Sequence, residues 1–212
     1  MPPRAGTKLK VEDRRRARTQ GLLLEALTGL IVEKGYDPIT VQDILDRANV
    51  GRSTFYAHYK DKQDLLMGSL DRLKSGLTLA QKTALAGGGS QGQLAFSLPM
   101  LHHVKSHRRL YKAFMGRASG TMVMFHIQRI LADLARDEIK ARVPRRMQAM
   151  NAHGGLKAAS MAPPIEAIVQ ATVGAYIALM TWWMDHGTPC SAEELDGLFQ
   201  RLVLPGLGAV EG

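Results

Sequence analysis

The stretch ITVQDILDRANVGRSTFYAHYKDKQDLL, residues 39–66, decides how the chain is read. Thr40 with Asp43 three residues on forms a capping box with the shorter acid, in which each side chain satisfies the other residue's backbone N–H and a helix opens. Val41, Ile44, Leu45 and Ala48 then recur at helical spacing as one apolar face. Asn49-Val50-Gly51 suits a tight turn, because Asn and Gly tolerate left-handed backbone. A second short helix is expected from Arg52 to about Tyr59, with Phe55 and Tyr59 four apart on one face. Two short helices across a glycine-containing turn make a helix-turn-helix. Packing of Ile44, Leu45, Ala48 and Val50 on Phe55 and Tyr59 would fix the angle between them. It would leave Arg52, Ser53, Tyr56 and His58 projecting toward a groove. Geometry alone does not separate a DNA head from any helical bundle; the outward residue types do. Arg can read guanine through two hydrogen bonds, Ser and Thr bond phosphates, and Tyr offers a hydroxyl and a ring.

Working outward, an upstream helix is expected from about Arg14 to Lys34, carried by Leu23, Ala26, Leu27, Leu30 and Ile31 and stopped by Gly35. Pro38 breaks the connector that follows. Downstream, Lys60 and Asp61 lead into a long helix ending near Ala84, and AGGGSQGQ (86–93) reads as a loop. Further helices are expected at about 94–106, 108–116 and 119–142. Residues 143–164, with three prolines and two glycines, read as a long connector. The last helices span about 164–186 and 191–204, and Ser191 with Glu194 makes a second capping box. No stretch alternates with period two, so the fold class is all-α: an N-terminal DNA head in 1–62 and a second helical domain in 63–212.

A chain of 212 residues has room for one or two compact domains, burying roughly 70% of the unfolded surface. The net charge of +9 favours a polyanionic partner. It is unevenly spread: +4 over 1–62, +9 over 63–150 and −4 over 151–212, so the last third is a poor match for a polyanion. Residues 4–18 hold seven basic side chains against Glu12 and Asp13, which reads equally as a solvated, disordered arm or as one that grips DNA. The single cysteine, Cys190, leaves no internal disulfide and fits a reducing cytosol. Residues 1–20 lack a leader's apolar stretch, and the apolar run 168–184 is short, contains Gln170 and reads as a buried helix; a cytoplasmic protein without a membrane contact is expected.

The segment EKGYDPITVQDILDRANVGRSTFYAHYKDKQDLL, residues 33–66, resembles the DNA-binding region of the tetracycline-repressor (TetR) family. The features carrying it are Gly35-Tyr36 at the exit of the first helix, Thr40 capping the second, the run Thr54-Phe55-Tyr56-Ala57-His58-Tyr59, and Lys62 after it. TWWMDHGTPCSAEELDGLFQRLVLPGL, residues 181–207, is similar to the ends of many members. The resemblance implies a homodimer of all-helical subunits, each with a DNA head and a ligand-binding and dimerisation domain, usually a repressor released by a small hydrophobic molecule. By position it puts Thr40, Gln42, Arg52, Ser53, Thr54, Tyr56, His58 and Lys62 at a double-stranded operator. Gln42, Arg52 and Ser53 would read base edges, while Tyr56, His58 and Lys62 would hold phosphates.

A small-molecule site is expected around Phe96, Met100, His103, Tyr111, Met115, Met122, Phe125 and Tyr176, since methionine and aromatic side chains suit a flat or flexible apolar ligand. Most of these also serve as core. The basic balance of this part favours a neutral or anionic ligand. His103 and His107 have a chelating i, i+4 spacing, but Lys105, Arg108 and Arg109 would repel a cation, so neither a metal nor another cofactor is expected. Cys190 reads as a plain loop cysteine. No phosphate-binding glycine loop, nucleophile elbow or zinc-protease motif is present, which argues against an enzyme; the remaining alternative is a helical interaction protein. Residues 165–186 are apolar around most of the helix, more than one subunit's core can cover, so with 191–204 they should meet a partner.

Overall fold

The computed structural model describes residues 5–86, 94–114, 118–152 and 165–210. These are helical almost throughout, in the order α1 (Ala5–Lys34), α2 (Val41–Ala48), α3 (Arg52–Tyr56), α4 (Lys62–Ala86), α5 (Ser97–Ser106), α6 (Arg108–Phe114), α7 (Ala118–Ala152), α8 (Ile165–Asp185) and α9 (Ala192–Val210). The all-α class read from the sequence is the class observed. Met115 and residues 87–93 lie outside the described residues.

The described residues form two compact units, one within Met1–Leu73 and Arg109–Thr121, the other within Lys74–Arg108 and Met122–Gly212. The first reaches beyond residue 62 because its core uses the opening turns of α4, where Leu65, Leu66 and Leu70 are buried. They join Leu23, Leu27, Ile31, Ile44 and Phe55, each fully buried or nearly so. α2 packs on α1. Arg47 reaches from α2 across Gly29 to Glu33, with Nη1 2.6 Å from the carboxylate. A Cβ at Gly29 would stand 2.7 Å from Arg47 Nη2, so a larger residue there would make the guanidinium shift.

Two helices exceed their expected bounds. α1 starts at Ala5 rather than near Arg14, so the reading of the basic run as a disordered arm is corrected. That segment lacks apolar periodicity, but its Ala, Lys, Leu, Glu and Arg are strong helix formers that extend an established helix cheaply. α7 continues to Ala152, through Pro144, so residues 143–152 are not the connector expected there. Proline removes one intrahelical hydrogen bond; the following Arg145, Arg146, Met147, Gln148 and Ala149 favour helix and carry it on.

In the second unit α9 packs on both α5 and α8. Its core contains Phe96, Met100, Tyr176, Trp183 and Phe199. The second capping box is formed: Glu194 N donates to Ser191 Oγ at 3.0 Å and Ser191 N to Glu194 Oε2 at 2.7 Å. α8 is long and apolar enough to cross a membrane by length and composition. It buries Val169, Val173, Tyr176, Met180 and Trp183 along one side, while Ala167, Ala171, Gly174, Ala178 and Trp182 are exposed along the other.

Candidate nucleic-acid interface

The helix-turn-helix is assembled by local hydrogen bonds before any long-range contact is needed. Asp43 N donates to Thr40 Oγ1 at 3.1 Å, and Thr40 N donates back to Asp43 Oδ2 at 2.7 Å, which completes the capping box. The Thr40 backbone and hydroxyl, together with Lys34, hold the Asp43 carboxyl down at about 2. Asn49 closes α2 in the left-handed region, at φ 50°. α3 ends at Tyr56, one turn before the expected Tyr59. The chain nevertheless keeps turning, since His58 N and Tyr59 N both donate to Phe55 O at 2.9 Å. Phe55 is fully buried and stands edge-on to Tyr56, 5.4 Å between centroids, and tilted against Tyr59 at 6.0 Å. Phe55 and Tyr59 are thus buried together, as their spacing of four predicts.

With Phe55 turned inward, Arg52, Ser53, Thr54 and Tyr56 are exposed on the outer side of α3, Tyr56 by 53%. Gln42, exposed on α2, is tied to that side: Arg52 Nη2 donates to Gln42 Oε1 at 2.9 Å, and Gln42 Nε2 donates to Asp46 Oδ1 at 2.7 Å. Two of the three predicted base readers are thus linked into one polar chain, Arg52–Gln42–Asp46. The Thr40 hydroxyl donates to Asp43, which leaves its oxygen to accept rather than to donate to a phosphate. His58 is half-buried, its ring tilted against Tyr59, and its Nδ1 has no hydrogen-bond partner among the described residues.

Lys62 departs most from its expected role. Its ammonium donates to the carbonyls of Tyr36 (3.1 Å), Asp37 (2.8 Å) and Ile39 (2.7 Å) and lies 4.6 Å from the Tyr36 ring centroid. All three N–H donors are therefore spent on the turn after α1, and none is left for a phosphate. In this structure it is a staple that holds the turn in front of α2. A lysine at that spacing carries no sequence signal for which of the two it does.

The residues expected around a small molecule are not all brought together. In the second unit Phe96 meets Tyr176 edge-on at 5.5 Å, and Tyr176 meets Phe199 at 5.0 Å. Phe96, Met100 and Tyr176 are fully buried core. His103 is half-buried and stacks on His107 at 4.3 Å. Met122 is half-buried. Phe125 is 60% exposed, so its place in an internal lining is corrected: two positions on α7 from buried Val123 and Ile127, its side chain turns outward. Tyr111 belongs to the first unit and is buried there.

Sequence reasoning missed the polar groups that frame this core. Tyr176 OH donates to Ser97 O at 2.7 Å, Ser97 Oγ bonds Asp196, and Gln200 Nε2 donates to Leu94 O at 3.1 Å and Ser97 Oγ at 2.8 Å. Glu138, almost fully buried, accepts from Ala95 N at 3.0 Å and Gln81 Nε2 at 2.6 Å. Burial pushes the Asp196 carboxyl up, against its bonds to Ser97 and Gln200.

Residues 23–67, from the first buried turn of α1 to the start of α4, match the family described as bacterial regulatory proteins, tetR family. The helix-turn-helix segment is thus of TetR-family type. A relative spanning nearly its whole length is the HTH-type transcriptional regulator YhgD of Bacillus subtilis, 27% identical over 193 residues, covering 89% of this chain and 96% of its own. Among solved structures, a TetR transcriptional regulator from Streptococcus agalactiae superposes with a TM-score of 0.62 at 20% identity, over 92% of this chain and 99% of its own. The fatty acid degradation regulator FadR from Bacillus halodurans gives 0.64 at 16% identity, over 89% and 96%. At those identities the structures establish a shared TetR-like fold. The exposed face of α3 lies inside the matched segment.

Proposed function

We propose that this chain is a TetR-family regulator, a cytoplasmic repressor that binds a palindromic operator as a homodimer and is released by a small hydrophobic molecule. The observation that carries the reading is the division of α3 into two sides: Phe55 fully buried, Arg52, Ser53, Thr54 and Tyr56 exposed. The four exposed side chains carry donors of the kind that a major groove takes up. In this reading Gln42, Arg52 and Ser53 read bases, and Thr54, Tyr56 and His58 hold backbone. Thr40 contributes as the cap that aims α2.

Dimerisation is assigned to the exposed side of α8, Ala167 to Trp182, together with exposed Leu198 and Leu202 of α9. Small side chains allow close approach, and an apolar face of this kind gains by burial against its own copy. The head, read from the sequence as 1–62, takes in the opening turns of α4 as far as Leu73, and the effector and dimerisation part follows. The effector belongs beside Phe96, Met100, His103 and Tyr176, where widening of a packed aromatic core would be coupled to the head through α4. The +9 charge of 63–150 favours a neutral or anionic ligand.

The test is selection of bound duplexes from a genomic fragment pool by the full chain at moderate salt, followed by sedimentation of the complex. Recovery of an inverted repeat carrying two subunits supports the reading. Failure to retain any duplex would instead favour a helical interaction protein.

A further inference from the structure

α1 runs well beyond the fold it serves. Among its residues with described burial, Leu23 is the first that is buried. The 18 residues Ala5–Leu22 therefore extend the helix about 27 Å past the head's core, at ~1.5 Å per residue. Arg14, Arg15, Arg16 and Arg18 lie on this extension and are all exposed. Among the described residues, no carboxylate forms an ion pair with any of the four.

Their placement around the helix is not random. At about 100° per residue, Arg16 and Gln20 continue the line of Leu23 and Leu27, toward the head. Arg14, Arg15 and Arg18 gather within about 100° of one another on the opposite side. The head-facing line is anchored next to the recognition segment: Arg72 Nη2 donates to Gln20 Oε1 at 2.8 Å and to Tyr59 OH at 3.2 Å. The charge of Arg16 also acts on Tyr59. The arginine face thus begins one turn from a contact that fixes α1 to the end of the Thr54–Tyr59 run. Such a face is repelled by itself and gains only by meeting a polyanion.

We infer that the arginine face of the α1 extension, Arg14, Arg15 and Arg18, is a second DNA-binding surface that grips duplex phosphates beside those met by the helix-turn-helix. It rests on the reading of the chain as a DNA-binding regulator and deepens it. The arm carries affinity without sequence preference, because guanidinium-to-phosphate contacts are the same on every duplex.

The test is a salt titration of binding by the full chain and by R14Q/R15Q/R18Q, on the selected operator and on a scrambled duplex. Each phosphate neutralised contributes about 0.9 to the slope of log affinity against log salt. The triple variant should therefore lose between about two and three units of slope per subunit, on both duplexes. The operator-to-scrambled ratio should stay within about threefold, and the melting temperature unchanged, since no core residue is touched. R14K/R15K/R18K, which keeps the charge, should restore the slope. An unchanged slope in a wild type that binds DNA overturns the arm and leaves the regulator reading intact; a wild type that binds no duplex removes both. Loss of the slope without rescue by lysine would mark a structural effect and overturn it. So would unchanged DNA slopes with lost binding to phosphatidylserine vesicles, which would assign the face to a membrane.

Discussion

Lys62 stands over the ring of Tyr36, 4.6 Å from its centroid, while the same ammonium is bound by three backbone carbonyls of the turn that Tyr36 begins. One side chain at the start of α4 therefore fixes the exit of α1, and with it the position at which α2 starts.

Replacing Lys62 with Ala should destabilise the protein by about 1–3 kcal/mol, in the range for charge-assisted hydrogen bonds. Operator and scrambled duplex should both be bound more weakly as the turn loosens. Because the ammonium's three N–H groups are all taken up by carbonyls, the salt slope of the residual binding should be unchanged. Denaturant unfolding combined with a salt titration checks this; a slope reduced by about one per subunit would return Lys62 to the DNA backbone.

Arg52 and Gln42 should not behave independently. Arg52→Ala is expected to cost about 1–3 kcal/mol per subunit on the operator and much less on a scrambled duplex. The bond from Arg52 Nη2 to Gln42 Oε1 pre-positions both, so the double variant should lose less than the two single losses added. A double-mutant cycle on both duplexes measures the coupling. Strict additivity would mean that the 2.9 Å bond has no part in readout.

Phe55 and Tyr56 are neighbours with opposite expected failures. Phe55→Ala empties a fully buried site and should cost about 3–5 kcal/mol of stability, with DNA binding lost only as far as the head unfolds. Tyr56→Phe keeps the ring and removes an exposed hydroxyl, so thermal stability should hold while affinity falls on every duplex. Differential scanning calorimetry beside binding isotherms separates the two. A large loss of stability in Tyr56→Phe would move that hydroxyl from the interface into the fold.

His103 sets an acid limit on the second unit. Burial, and then the neighbouring His107, push its imidazole down to about 4, whereas the unfolded chain takes up the proton near 6.5. Between those values the unfolded state binds more protons, so stability falls as pH falls through this window. The contribution is complete above 6.5, and no more is lost below 4. His103→Gln should flatten the difference between unfolding at pH 7 and at pH 4.5. An NMR titration placing His103 near 6.5 would cancel the expectation.

The parts of the fold legible in the sequence are those whose causes are local. Thr40 and Asp43, Asn49 and Gly51, and Phe55 and Tyr59 each act within about one helical turn, so their spacing carries the information. The reach of α1 and α7 was less legible, because helix propensity without an apolar stripe looks the same in a disordered arm or a connector. Lys62, Glu138 and Gln200 were opaque for a different reason. Lys62 finds carbonyls 23 to 26 residues away, and Gln200 bonds Leu94 across 106, so no periodicity announces them. Phe125 shows the converse limit: an aromatic on an amphipathic helix is assumed to face inward until the neighbouring turns fix its direction.

The small side chains exposed along α8 bear on how this protein would be kept apart from its own relatives. A cell with several TetR-family chains must prevent mixed pairs, which would carry two unlike heads and match no palindrome. Ala167, Ala171, Gly174 and Ala178 offer no charge by which to refuse a wrong partner. In the dimer proposed above, rejection along this line would fall to shape: one added methylene on either copy would hold two backbones apart along the whole ridge. Insulation between paralogues could then arise from single substitutions there, with neither the head nor the core altered.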